Sequence, residues 1–284
     1  MICETSRIES SNRLRVKEPR PVTCPVIDKS ATPLLSAVVF ALVAGLLRLQ
    51  TLGIVELRRG ARRRLGHIER LFRLRRPIAS LRNRPADDRI SPHELEGLRR
   101  AWVNPGYEAE LDYLELLCEY AAFARAPVLE CGSGLTTVLL ALTAGRRGVP
   151  IWSLEHDAGW YRATSLVLRR FRLDGIRLCY APLVRHDQYA WYDVPLSLMP
   201  PRFGLVVCDG PPACTPGGRS GLMPVIGERL KGATILVDDA ERPSEQAMLA
   251  SWSRYWWAAE SQRVTTQSGS QVAAVTIPGG PDDS

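Results

Sequence analysis

Val128-Leu129-Glu130-Cys131-Gly132-Ser133-Gly134-Leu135-Thr136-Thr137 is the stretch that decides the fold of this 284-residue chain. It reads as a strand closed by an acid at Glu130, then a glycine turn, then a helix. Thr136 and Thr137 open that helix, and Val138-Leu139-Leu140-Ala141-Leu142 continue it. Glycines at 132 and 134 let the backbone turn sharply and approach a ligand closely, and the amides of a helix N-terminus face outward there. Nucleotide-type cofactors bind at such turns. Gly-x-Gly also occurs in ordinary strand-to-helix turns, so the flanking segments carry the decision.

Val149-Pro150-Ile151-Trp152-Ser153-Leu154 reads as the next strand. It ends at Glu155-His156-Asp157, and a helical pattern begins near Trp160. Glu155 lies 25 residues beyond Glu130, the span of one strand–helix–strand unit. An acid at the end of a second strand can accept bonds from both ribose hydroxyls of a nucleoside. Thr137 stands where a dinucleotide fingerprint has its third glycine, which favours a mononucleoside cofactor. Glu130-Cys131-Gly132-Ser133-Gly134 followed by Leu154-Glu155-His156-Asp157 resembles the first two cofactor motifs of class I S-adenosylmethionine-dependent methyltransferases. The resemblance covers roughly residues 104 to 278. It implies an α/β fold: a Rossmann-like, mostly parallel sheet with a C-terminal antiparallel hairpin, preceded by N-terminal helices. It also implies that Glu130, Gly132, Ser133, Gly134 and Thr136 lie under the cofactor's methionine and ribose, that Glu155 holds the ribose hydroxyls, and that His156 lies near the adenine.

Two later strand patterns end in acids. Phe203-Gly204-Leu205-Val206-Val207-Cys208 runs into Asp209-Gly210-Pro211-Pro212, and Ala233-Thr234-Ile235-Leu236-Val237 runs into Asp238-Asp239. Open parallel sheets place their sites outside the carboxyl ends of the strands, so these carboxylates share one crevice. Carboxylates this close repel unless a cation or proton intervenes, and such oxygen ligands suit Mg²⁺ or another divalent cation. The pattern is similar to the metal site of catechol and macrolide-sugar O-methyltransferases, a resemblance that implies Asp209, Asp238 and Asp239 as metal ligands and Asp209 as part of the catalytic centre. The catechol enzymes have a lysine base three residues after the first metal acid, where this chain has Pro212. His156 and His186 are then the imidazoles available as base, or else surface histidines. Without a metal, Asp209 receives a polar group of cofactor or substrate and the 238–239 pair caps a helix. Arg219, in the Gly/Pro-rich loop that follows Asp209, either pairs with an anionic acceptor group (uronate, sulfate or phosphate) or is solvated.

Around these motifs, Glu108 to Phe123 has helical apolar spacing, Ile176 to Leu183 reads as a third strand, and Ser244 to Trp257 as a helix. Arg263–Thr266 and Gln271–Ile277 suggest a closing hairpin. The aromatic-polar run Asp187 to Asp193 is either a wall of a sugar or aromatic pocket or a packed surface turn.

The N-terminal third has a different composition. Residues 1–33 mix charge, proline and serine without period and read as a disordered tail. Residues 31–47 hold no charge, and apolar character resumes to Val55. Residues 48–84 carry twelve arginines against Glu56 and Glu69, whereas residues 85–284 hold 19 basic and 24 acidic side chains. The chain's net +7 is therefore local to the basic stretch. A basic flank beside an apolar segment suits an anionic membrane surface, with residues 31–55 as an anchor and the catalytic domain cytoplasmic. The competing reading is a helical hairpin packed on the domain or on a second subunit as a homo-oligomer. A nucleic-acid role lacks a recognition motif and aromatic interleaving. The seven cysteines are scattered, with no Cys-x-x-Cys pair, which fits reduced thiols and excludes a zinc spacing.

The domains expected are a tail over 1–33, an apolar helix with a basic segment over 34–84, a cofactor-binding catalytic domain over 85–278, and a flexible end over 279–284. The expected activity is transfer of a methyl group from S-adenosyl-L-methionine to a hydroxyl of a small molecule, sugar or lipid-linked acceptor, assisted by a divalent metal. N-methylation without metal, a nicotinamide-dependent oxidoreductase and a non-catalytic membrane-associated scaffold are the alternatives.

Overall fold

The computed structural model describes residues 66, 69–102, 109–252, 260–266 and 269–279. Contacts divide the chain into units 1–60 and 61–284, and all described residues belong to the second. Its first helix, α1, spans residues 69–82, followed by α2 (Pro92–Trp102) and α3 (Leu111–Phe123). The alternating part comprises β1 (Val128–Cys131), α4 (Leu135–Leu142), β2 (Ile151–Glu155), α5 (Ala158–Phe171) and β3 (Ile176–Tyr180). A small antiparallel pair follows, β4 (Leu183–Arg185) with β5 (Ala190–Tyr192). Then come β6 (Leu205–Cys208), α6 (Leu222–Ile226), β7 (Thr234–Val237), α7 (Pro243–Trp252), β8 (Glu260–Thr265) and β9 (Gln271–Thr276).

The main sheet has seven strands in the order β3-β2-β1-β6-β7-β9-β8. The first five are parallel. β9 runs antiparallel between β7 and β8 and closes the sheet with the C-terminal hairpin expected from the sequence. This is the class I methyltransferase order. β1, β2 and β6 are buried along their whole length, as helices on both faces require.

Period-two alternation divides the strand side chains between two apolar layers. Val128, Leu205, Val207 and Leu236 join one core with Leu74 and Ile78 of α1, Leu95 and Leu98 of α2, and Val167 and Phe171 of α5. Leu129, Cys131, Val206, Ile235 and Val237 join the other, with Trp191, Met223, Met248 and Trp252.

The C-terminal part of the basic stretch is thus a helix with an apolar stripe in the core. Two of its arginines bond backbone carbonyls: the buried Arg70 donates from Nε to Trp102 at 2.6 Å, and Arg82 donates to Phe171 at 2.6 Å. Among the described residues no helix is long and apolar enough to cross a membrane. This overturns the expected membrane anchoring by a transmembrane helix. The segment on which it rested, residues 31–55, lies outside the described residues.

Register positions the site. Cys131 pairs with Leu154 on one side and with Cys208 on the other, and Cys208 pairs with Val237. The carboxyl ends of β1, β2, β6 and β7 are therefore level. The chain order reverses at β1, which is where open α/β sheets leave a crevice.

Candidate functional site

The glycine turn after β1 is held by side chains on three sides. Gly132 has φ +92°, a left-handed conformation that costs a residue with a Cβ, and a Cβ there would crowd the Gly210 backbone at 3.2–3.3 Å. Thr137, the residue in place of the third glycine, is a strut. Its hydroxyl accepts from the Gly134 amide at 2.9 Å and donates to Glu130 Oε2 at 2.7 Å. From the other side the Trp160 indole N–H donates to the Ser133 carbonyl at 2.6 Å.

Glu130 lies beneath this turn, fully buried, and also receives the Ser153 hydroxyl. Burial pushes its carboxyl up to about 7, against the hydroxyls of Ser153, Thr136 and Thr137, which favour the charged form. Its Oε1 has no partner. Glu155 sits at the end of β2 and is also buried. Its Oε2 accepts the Ser133 amide at 3.1 Å and the Ser133 hydroxyl at 2.7 Å, and its Oε1 accepts the Asp157 amide at 2.8 Å. Oε1 retains a free lone pair for a ligand hydroxyl. Asp157 in turn caps α5 through the Trp160 amide at 2.6 Å.

The ends of β6 and β7 differ from expectation. The Arg219 guanidinium fills the space between the three aspartates. Its Nη2 stands 3.4 Å from Asp209 Oδ1 and 3.5 Å from Asp239 Oδ2, and donates to the Asp209 carbonyl at 2.8 Å. Its Nη1 donates to the Asp238 carbonyl at 2.6 Å. The side chain is 3% exposed, and the carboxylates around it hold its guanidinium firmly charged despite burial. Asp238 is pushed well up from the carboxylate range by burial and by Asp209 and Asp239. Asp239, held with φ +57°, also pairs with Arg242 at 2.7 Å.

The expected Mg²⁺ or other divalent site at Asp209, Asp238 and Asp239 is therefore corrected. Among the described residues no three His, Cys, Asp or Glu side chains are grouped to hold a metal ion. The neutralising cation is one the chain supplies. Nor is Arg219 a free receptor for an anionic acceptor, since its charge is already engaged.

These strand ends open on a cleft of about 760 Å³. Gly132, Ser133, Gly134, Thr136, Glu155, His156, Asp209, Arg219, Asp238 and Asp239 all line it. Glu130 and His186 are not among its lining residues. His186 is exposed and stacks on Tyr189 with ring centroids 4.7 Å apart. His156 Nδ1 lies 3.3 Å from Glu155 Oε1, and its ring meets Tyr192 edge-on at 6.1 Å.

Trp102 and Glu110 are among the lining residues that the sequence does not single out, and Trp160 reads there only as the start of a helix. Trp102 and Trp160 meet edge to face at 5.9 Å, with the Arg70 guanidinium 4.9 Å from each ring. Tyr192 belongs to the aromatic run 187–193, which was noted as a candidate wall. Its hydroxyl lies where a Cβ on Gly210 would collide, so Gly210 must be glycine.

No family model and no curated protein matches the chain. Similar solved structures include precorrin-6y C5,15-methyltransferase from Geobacter metallireducens, 12% identical over 63% of this chain and 93% of that one, TM-score 0.47. An O-methyltransferase from Bacillus cereus in complex with SAH is 13% identical over 66% of this chain and 90% of that one, TM-score 0.46. TomG, an O-methyltransferase from Streptomyces achromogenes involved in tomaymycin synthesis, in complex with SAM, is 13% identical over 66% and 89%, TM-score 0.45. At these overlaps it is the strand order of the sheet that carries the fold.

Proposed function

We propose that this chain is an S-adenosylmethionine-dependent methyltransferase acting on a hydroxyl of a small molecule or sugar, with no metal at its β6–β7 edge. The observation that carries this reading is the convergence of a side-chain-free glycine turn and the Glu155 carboxylate on one wall of the cleft, joined through Ser133. The residues fit a nucleoside cofactor. Glu155 Oε1 keeps a lone pair, and a cleft of about 760 Å³ suits a ligand of that size. When bound, S-adenosylmethionine supplies an electrophilic methyl group on a positive sulfur, and an acceptor oxygen's lone pair takes it while the carbon–sulfur pair stays on sulfur.

The chain's own task is alignment and proton management. The 132–134 turn and Glu155 fix the donor side. Asp209, 36% exposed at its side chain and facing the cleft, is the carboxylate placed to take the acceptor's proton. Arg219 keeps Asp209 in position by bonding both its carbonyl and its carboxylate. His156 lines the same cleft and orients on Glu155.

Calorimetric titration of the full chain with S-adenosylmethionine, beside Glu155→Ala, tests the reading. Binding in the micromolar range, weakened about 30-fold or more in the variant, is expected for loss of a charged hydrogen-bond acceptor. No binding by the folded wild type overturns it.

A further inference from the structure

Tyr192, at the end of β5, brings a polar atom to the cleft that nothing in the described chain bonds. The residue is 2% exposed, it lines the cleft, and its hydroxyl has no hydrogen-bond partner among the described residues. Burial of this kind deprives a hydroxyl of the bonds it has in water. The chain nonetheless makes room for it. A Cβ on Gly210 would run into the hydroxyl, and the same Cβ would stand 3.1 Å from the Gly132 Cα. The phenol oxygen is therefore set over the seam between the β1 and β6 turns, against the glycine cradle.

Burial, and after it the neighbouring Cys131, Glu155, Cys208 and Asp209, push the Tyr192 hydroxyl well above the ordinary tyrosine range. At neutral pH the side chain is an uncharged phenol. It does not serve as a base, and its oxygen keeps lone pairs to offer in either orientation of its proton.

The side chain lies across the site. Its ring meets His156 edge-on at 6.1 Å, and His156 Nδ1 lies 3.3 Å from Glu155 Oε1. Its hydroxyl reaches Gly210, the residue after Asp209. With the donor's ribose on Glu155 and the acceptor's proton passing to Asp209, the sulfur and its methyl group are what join the two sides. A methyl on a positive sulfur has polarised C–H bonds, and an uncharged oxygen with free lone pairs suits them.

We propose that the Tyr192 hydroxyl oxygen contacts the methyl-bearing sulfonium of bound S-adenosylmethionine and is the atom by which the cleft separates donor from demethylated product. The inference rests on the methyltransferase reading. In the transfer, the acceptor oxygen bonds the methyl carbon, the carbon–sulfur pair stays on sulfur, and the acceptor's proton passes to Asp209. Tyr192 exchanges no proton. Its oxygen holds the methyl in line before transfer and loses its partner once sulfur is neutral.

The test titrates the full chain and Tyr192→Phe with three ligands. These are S-adenosylmethionine, S-adenosylhomocysteine, which lacks the methyl and the charge, and sinefungin, which carries a protonated amine where the donor has its methyl. Loss of the oxygen should weaken S-adenosylmethionine and sinefungin about 5–10-fold and S-adenosylhomocysteine less than about twofold. The melting temperature without ligand should stay the same or rise, because the deleted oxygen has no partner in the chain. Equal losses on all three ligands would mean a contact to a part they share. No loss on any would mean that only water meets the hydroxyl, and that any preference for the cation comes from the cleft's carboxylates. Either outcome overturns the inference. Nuclear magnetic resonance with S-adenosylmethionine carrying ¹³C in its methyl checks the same geometry without a substitution. The bound methyl protons should lie downfield of the free cofactor and show a nuclear Overhauser contact to the Tyr192 ring, and absence of that contact overturns the inference even if the variant does not fold. A folded wild type that binds none of the three ligands sinks the methyltransferase reading, and this inference with it.

Discussion

The two halves of the sheet's carboxyl edge solve the same problem by different means. At β1 and β2, two buried acids are held by uncharged donors: hydroxyls of Ser153 and Thr137 on one oxygen of Glu130, and Ser133 with a backbone amide for Glu155. At β6 and β7, three aspartates crowd together and a buried guanidinium pairs with two of them and bonds the backbone carbonyl of the third. The first half draws on local sequence neighbours and leaves lone-pair capacity for a ligand. The second draws on a residue ten positions along a loop and spends its charge internally. Strand-end position puts a carboxylate in a crevice, but its neighbours decide what it binds.

The largest expected effect breaks the second half. Arg219→Met leaves Asp209, Asp238 and Asp239 facing one another without a cation and should destabilise the fold by about 3–5 kcal/mol at pH 7, read by urea unfolding. Lowering the pH should recover part of that loss as the carboxylates protonate, whereas added Mg²⁺ should not recover the wild-type value. If Mg²⁺ does so, the aspartates form a metal site once the guanidinium is gone and the contrast narrows.

A pH series sharpens the first half. The Glu130 carboxyl is raised to about 7 in the folded chain, above its unfolded value. Between the two values the folded chain holds a proton that the unfolded chain has lost. This contribution is therefore fully present at low pH and disappears as pH rises through about 7. It amounts to about 3 kcal/mol. Glu130→Gln should flatten the stability profile between pH 5 and 8, and an unchanged slope would place the titration elsewhere. Gly132→Ala, which combines positive φ with a crowded Cβ, should cost about 1–3 kcal/mol and abolish cofactor binding in the same titration. Thr137→Gly, which restores the dinucleotide fingerprint, is expected to lose about 1 kcal/mol and to weaken rather than improve binding, because the strut is lost.

The first half was legible because its parts are contiguous. The acid, the turn and the helix start fall within Glu130 to Thr137, and Glu155 follows at the length of one repeat. The C-terminal hairpin was legible from two strand-like runs, Arg263 to Thr266 and Gln271 to Ile277, on either side of a short Gly/Ser turn, with β9 ending at Thr276. The strand ends at Asp209 and Asp238 were placed correctly, but their chemistry was misjudged. Nothing in the linear spacing says that the Arg219 side chain turns back across the loop to bond two strand-end carbonyls. The α1 helix posed the opposite difficulty. Twelve arginines dominate the composition of residues 48–84, whereas the fold of residues 69–82 depends on Leu74, Ile78 and Leu81, set at helical spacing among them. Trp102 and Trp160 gave no motif, because their importance comes only from the cleft that other elements build around them.

Arg219 also has a consequence for how this edge behaves in changing surroundings. A cation covalently attached to the chain does not dissociate, compete with other ions or depend on supply. Chelators and shifts in divalent-ion concentration leave its partners in place, and its geometry is inherited with the gene rather than assembled after synthesis.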